Sequence, residues 1–154
     1  MLSNQYIAGL FDGEGSVGIY RKSNKCSRRG WCFYLLVQIK LKYGTDVLYE
    51  IQKRFGGYVR RRRDGQVCWR CESMLALNFL NAIKDYSRIK QAQILLAIEF
   101  QERKHNRVGK DLSDEEFDWQ AAVAKTLKWL KRSDWHYVEE EPKQLEEGEE
   151  GEED

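Results

Sequence analysis

Apolar and polar positions alternate over residues 15–22, where Val17, Ile19 and Arg21 point one way and Ser16, Gly18, Tyr20 and Lys22 the other. That period of two predicts a half-buried strand. Residues 31–42 repeat it: Leu35, Val37, Ile39 and Leu41 form one face and Tyr34, Leu36, Gln38, Lys40 and Lys42 the other. Between them, residues 23–30 are polar and basic, as in a hairpin loop. A second pair is predicted at 58–63 and 66–72 around Asp64-Gly65, a strong hairpin signal. Its register rests on burying a tryptophan. A three-residue turn with Gly65 in the left-handed conformation buries Val59, Val67, Trp69 and Cys71 together. It leaves Arg60, Arg62, Gln66, Cys68 and Arg70 on the open face.

Helical spacing surrounds these strands. Residues 3–12 read as a short helix capped by Ser3 and stopped at Gly13. Gly44-Thr45-Asp46 opens a helix to Phe55, with Val47, Leu48, Ile51 and Phe55 inward and Gly56-Gly57 ending it. Ser73 is the expected cap of a third helix that turns Met74, Leu77, Leu80 and Ile83 inward. A fourth is expected over 87–103 with Ile89, Ala92, Leu96 and Phe100 inward, followed by a basic loop over 104–111. Ser113-x-x-Glu116 is a capping box for a fifth, running to about residue 131 with Phe117, Ala124, Leu127 and Leu130 inward. The fold class is α+β, in the order α-β-β-α-β-β-α with a further C-terminal helix; the two halves weakly repeat one helix-and-hairpin plan. The expectation is a four-stranded antiparallel sheet with helices on one face and the other bare.

Charge sharpens that picture. The 154 residues carry a net charge of only +1. Residues 139–154 hold ten acids against Lys143, a balance of −9, which leaves +10 on residues 1–138. The expected organisation is therefore a folded domain over 1–138 and an acidic, disordered tail over 139–154. A basic body suits a polyanion. Four consecutive arginines, Arg60 to Arg63, repel one another without one. Arg, Lys, Gln and Tyr on a bare sheet suit phosphate contacts and base edges in a major groove. Lys104, Arg107, Lys110, Lys125, Lys128 and Lys131 are either further backbone contacts or a plain solvated face. Two other classes are set against this. The four cysteines, Cys26, Cys32, Cys68 and Cys71, allow a zinc-stabilised adaptor, but residues three apart in a strand face opposite sides, so reduced thiols are the default. No run of about 18 apolar residues predicts a membrane span, and nothing at the N-terminus resembles a secretory signal.

The most specific string is Ile7-Ala8-Gly9-Leu10-Phe11-Asp12-Gly13-Glu14-Gly15-Ser16. Gly9 and Gly13, four apart with Ala8 beside them, let two helices touch backbone to backbone, by analogy with small-residue packing in membranes. Asp12 and Glu14 lie where helix gives way to strand. Their flanking glycines leave room for a phosphate or a hard cation such as Mg²⁺.

This string resembles the LAGLIDADG motif of homing endonucleases, matching at Ala8, Gly9, Leu10, Asp12 and Gly15, with Glu14 at the last acidic position. The element order over about residues 3–103 resembles the family's core. One motif in so short a chain resembles the single-motif subgroup, whose identical chains pair through the motif helices, here Ala8, Gly9 and Asp12. The resemblance implies a site-specific, intron-type endonuclease that breaks both strands of a long pseudo-palindromic DNA site. The alternative is a non-cleaving DNA-binding regulator or RNA-splicing maturase of the same fold. Glu14 and the Gly13 carbonyl resemble the contacts to catalytic Mg²⁺ (or Mn²⁺), and Lys90 the active-site lysine, with Arg88 the fallback in another register. The family's polar residue near the end of the second strand falls close to Lys40, Leu41 or Lys42, and Lys42 is taken. The DNA-reading set is Ser16, Tyr20, Lys22, Tyr34, Gln38, Lys40, Arg60, Arg62, Gln66 and Arg70. His105 and His136, far apart in the chain, do not resemble an HNH nuclease pair. The expected partners are duplex DNA and a second copy, with no membrane and no small-molecule substrate. The expected setting is intracellular, in a prokaryotic cytoplasm or a gene-bearing organelle.

Overall fold

The computed structural model describes residues 1–107 and 112–133. The acidic stretch 139–154, Lys110, His136 and the domain limit at 138 lie outside the described residues. The element order is α1 (Asn4–Glu14), β1 (Gly15–Ser23), β2 (Trp31–Leu41), α2 (Asp46–Phe55), β3 (Tyr58–Arg61), β4 (Val67–Glu72), α3 (Ser73–Ile83), α4 (Gln91–Asn106) and α5 (Asp114–Ser133). The strands form one antiparallel sheet in the order β1-β2-β4-β3. Among the described residues no helix is long and apolar enough to cross a membrane.

The core lies between the sheet and its helices. Phe79 of α3 is its hub, with ring centroids 5.5 Å from Phe11, 5.1 Å from Phe55 and 4.8 Å from Trp69. The buried Trp69 indole donates to the Gly56 carbonyl at 2.9 Å, so its polar edge is satisfied. Truncating a core aromatic of this kind removes about 3–5 kcal/mol. Gly57 lets the backbone pass: it has φ +82°, and a Cβ there would sit 2.3 Å from the Arg70 carbonyl.

The second hairpin takes the register expected from tryptophan burial. Val59 pairs with Trp69 and Arg61 with Val67, and the Arg62 N–H donates to Gln66 at 2.7 Å. Gly65 is left-handed at φ +85°. Ser3 caps α1 by accepting from the Tyr6 N–H.

Several expected details differ. β3 stops at Arg61 because Arg62 and Gln66 already close the turn. Ser73 is not a cap: it is the first residue of α3, with φ +53°, because β4 passes into the helix without a loop. Met74 is exposed, and the buried face of α3 is Ala76, Leu77, Phe79, Leu80 and Ile83. α4 starts four residues late, since residues 87–90 wrap a carboxylate of α1 instead. Its buried face is Gln93, Ile94, Ala97, Ile98, Phe100 and Gln101; Ile89 and Ala92 are exposed. In α5, Ser113 caps as expected, accepting from the Glu116 N–H at 3.1 Å. The Glu116 carboxylate does not complete the box; it accepts from Arg103 of α4 at 2.8 and 3.0 Å. With the Glu116 carboxylate buried beneath the exposed Arg103, the inward face is Glu116, Gln120, Val123 and Leu127, one step round from the predicted stripe.

Candidate metal cleft and nucleic-acid interface

The last turn of α1 carries both motif acids, and the fold treats them oppositely. Asp12 is enclosed. Its carboxylate accepts from the Ser87 hydroxyl and from the backbone N–H groups of Arg88 at 2.8 Å, Lys90 at 3.2 Å and Ile89 at 3.3 Å. Burial pushes this carboxyl up, but the Ser87 hydroxyl and the three N–H groups together hold it below its ordinary value. It works as an anionic cap just ahead of α4. Asp12 was expected at a dimer interface; its carboxylate is committed inside its own chain.

Glu14 is exposed and has no hydrogen bond or ion pair among the described residues. It sits at the negative end of the α1 dipole, an unfavourable place for an unpartnered anion. Around it a cleft of about 530 Å³ is lined by Asp12, Gly13, Glu14, Gly15, Ser16, Ile89, Lys90, Gln93 and Lys131. Lys90 stands at the N-cap of α4 and donates from Nζ to the Asp12 carbonyl at 2.5 Å. The Gly15 N–H takes the Phe11 carbonyl. The cleft thus joins Glu14, Gly13 and Lys90. It does not include Lys42, which lies beyond β2, exposed, with its ammonium 5.7 Å from the Tyr43 ring. The alternative Leu41 is on the core side of β2.

Glu14 and Gly13 both line the cleft, and a carboxylate and a backbone carbonyl are hard oxygen donors of the class that a divalent cation such as Mg²⁺ takes alongside several waters. Among the described residues no three His, Cys, Asp or Glu side chains come together as a closed metal centre. The four cysteines are free. Cys68 lies on the open face and Cys71 in the core, where burial pushes its thiol up to about 12.

The motif helix also has two faces. Ile7, Ala8 and Phe11 are buried in the chain's own core. Ala8 is fully buried there, so it is not an interface residue as expected. Gln5, Tyr6, Gly9 and Gly13 are exposed, and a Cβ at Gly9 or Gly13 would meet nothing within 4 Å. A mid-helix glycine is less stable than alanine by about 0.5–1 kcal/mol, and nothing inside the chain requires one at Gly9.

The strand register sets the open face of the sheet. Ser16, Gln38, Arg70 and Tyr58 stand in one row across all four strands, and Lys40, Cys68 and Arg60 in the next. The Arg70 guanidinium lies 6.0 Å from the Tyr58 ring centroid, and its Nε is buried with no acceptor among the described residues. A groove of about 660 Å³ runs here, lined by Gln38, Tyr58, Arg60 to Arg63, Asp64, Cys68 and Arg70. Gln66 is half-buried beside the turn and does not line it. At the β1 edge the expected readers are engaged with one another. Lys22 pairs with Glu72 at 3.7 Å and sits 4.9 Å from the Tyr34 ring. Burial and the Glu72 charge push the Tyr34 hydroxyl above its ordinary value. The Tyr20 ring lies over Gly18, where a Cβ would be 2.8 Å from it. Lys131 of α5 donates to the Tyr20 hydroxyl at 3.3 Å. Sequence patterning leaves Lys131, one of several lysines, open between a backbone contact and a solvated face. It misses the role of Gly18, for which a glycine inside a strand, two residues before a tyrosine, is the one available signal.

Solved structures share this architecture. The homing endonuclease I-CvuI, in complex with a DNA target, matches with TM-score 0.71 at 20% identity over 82% of this chain and 80% of that one. An archaeal intron-encoded homing endonuclease complexed with DNA matches with TM-score 0.69 at 22% identity, over 82% of each chain. I-SmaMI bound to uncleaved DNA matches with TM-score 0.70 at 17% identity, over 86% of this chain but 49% of that one. At such identities the likeness is one of fold. No curated protein sequence matches significantly. The family model described as LAGLIDADG endonuclease matches residues 7–101, the stretch that runs from the motif helix into α4. The chain belongs to the LAGLIDADG endonuclease family.

Proposed function

We propose that two copies of this chain form a site-specific homing endonuclease that cuts both strands of a long, pseudo-palindromic DNA duplex. The observation that carries the reading is the exposed Glu14, placed at the end of a helix whose exposed face includes Gly9 and Gly13. A helix stacked on its twin through Gly9 and Gly13 brings two Glu14 carboxylates to one axis, supplying the second half of an incomplete cation site. The fold recurs in chains matched over about four-fifths of their length and in I-SmaMI, where it spans half, which supports a two-unit assembly.

Glu14 and the Gly13 carbonyl would hold Mg²⁺ or Mn²⁺. When bound, that ion lowers the pKa of a water and offsets charge on the attacking and leaving oxygens. I-CvuI has been crystallised with the I-CreI DNA target in the presence of Mg and with its own target in the presence of Ca, which supports a divalent ion here. Lys90, held at the Asp12 carbonyl, puts a cation at the cleft wall where negative charge develops on phosphate. Asp12 orders the 87–90 turn that carries Lys90. The row of Ser16, Gln38, Arg70 and Tyr58, with Lys40, Arg60 and Arg62, contacts base edges and phosphates; Lys22, Tyr34 and Gln66 border it. Such an enzyme works beside its target gene, in a prokaryotic cytoplasm or a gene-bearing organelle.

Incubation with a randomised duplex library and Mg²⁺ tests the proposal. Cut products should share one long, roughly palindromic site. Enrichment of bound sites with no cutting in Mg²⁺ or Mn²⁺ would favour the regulator or maturase reading.

A further inference from the structure

α5 lies outside the stretch matched by the family model, yet it ends in the cleft. The path of the helix explains how. β1 is an edge strand, and α5 packs along it. At its start, Phe117 meets Trp31 and Phe33 on the helix side of the sheet, with ring centroids 5.3 and 5.6 Å away. At its other end Lys131 reaches Tyr20, a residue of the open side. The helix therefore crosses the sheet edge and carries one ammonium from the covered face to the open one. The start is pinned by Arg29, whose guanidinium stacks 4.3 Å from the Phe117 ring and pairs with Asp114.

Lys131 is half-buried and makes no ion pair among the described residues. Its ammonium donates to the Tyr20 hydroxyl and lies 5.6 Å from that ring. Both partners are neutral. A cation at a helix C-terminus is favourable in itself, but the neighbouring exposed Arg132 serves that purpose from solvent. Lys131 is instead turned into the cleft that also holds Glu14 and Lys90. A half-buried ammonium with no counter-ion among the described residues, aimed into such a cleft, suits a phosphodiester anion.

We propose that Lys131 is a phosphate-binding residue of the cleft, delivered by α5 and held ready by Tyr20. The proposal rests on the nuclease reading and extends the cleft's machinery beyond the matched family stretch. On bound DNA, Lys131 would donate to a non-bridging phosphate oxygen next to the Glu14 carboxylate; no covalent step passes through it.

The test uses the full chain, the DNA site recovered from the library, and the variants Lys131→Met and Lys131→Arg. Binding is measured across a salt series in Ca²⁺, and single-turnover cleavage in Mg²⁺ on fully bound DNA. Lys131→Met keeps the apolar stem and should reduce the slope of log affinity against log salt by about 0.9 for each copy engaged. It should slow cleavage of bound DNA by at least about tenfold. Lys131→Arg should restore the slope. An unchanged slope in Lys131→Met would overturn the proposal, even if affinity fell through lost packing. A reduced slope with an unchanged rate would place the contact outside the cleft and overturn the assignment. If the native chain binds but never cuts, the nuclease reading fails and the slope still decides Lys131.

Discussion

Asp12 and Glu14 are two residues apart in the same turn of the same helix, and they do opposite things. Asp12 has four donors and is half-buried; Glu14 has none among the described residues and faces solvent. The difference arises because two helical steps of about 100° each separate the acids, turning one toward α4 and leaving the other over the cleft. A satisfied carboxylate stabilises the fold and is unavailable for chemistry. An unsatisfied one at the negative end of a dipole is destabilising until a cation arrives. The same division runs along the whole helix: Ile7, Ala8 and Phe11 belong to the core, while Gly9, Gly13 and Glu14 are exposed and pack against nothing among the described residues.

Exchanging the roles of the two acids is the most direct way to break this comparison. Glu14→Gln should abolish Mg²⁺-dependent cleavage, by more than about 100-fold, above the range for groups that merely orient metal ligands. Its thermal midpoint should not fall. Asp12→Asn should do the reverse at first order, lowering stability by about 2–3 kcal/mol in denaturant titration, because several donors lose a charged acceptor. Stability should also depend on Asp12 through pH. Its folded pKa lies below the ordinary 3.8, so its contribution is complete above the ordinary carboxylate range. That contribution is lost as pH falls through the lowered value, and Asp12→Asn should flatten that part of the acid unfolding curve. The smallest effect has the most telling sign. Gly9→Ala should stabilise the isolated chain by up to about 1 kcal/mol, yet weaken self-association in sedimentation. A variant both more stable and equally dimeric would sink the helix-pairing account.

Much of the fold was legible because its signals were local. Period-two alternation located β1 and β2, and the need to bury Trp69 selected the register of the second hairpin over its one-residue slip. The Ser3 and Ser113 caps were read from their own turns. What was not legible depended on distant partners. α4 begins late because residues 87–90 close around Asp12, 75 or more residues earlier. The inward face of α5 is displaced by the Arg103–Glu116 pair, and apolar spacing cannot register a buried carboxylate. The cleft shows the same split. Glu14, Gly13 and Lys90 were found through the motif resemblance and do come together. Ala8 and Asp12 were assigned to an interface through the resemblance, which pairs the motif helices as a whole, although their burial and bonding place them inward. Lys42 missed the cleft because β2 ends one residue earlier. Lys131 had no local signal, since one lysine among several on an amphipathic helix looks the same whichever side of the sheet it reaches.

The central claim is that the unpaired Glu14, rather than the enclosed Asp12, holds the divalent ion. Calorimetric titration of Ca²⁺ into the protein–DNA complex tests it most directly, using the native chain, Glu14→Gln, and Asp12→Asn well below its unfolding temperature. The account predicts that native and Asp12→Asn complexes bind the ion comparably and that Glu14→Gln loses at least about tenfold in affinity. Ion binding that survives in Glu14→Gln and disappears in Asp12→Asn would contradict it.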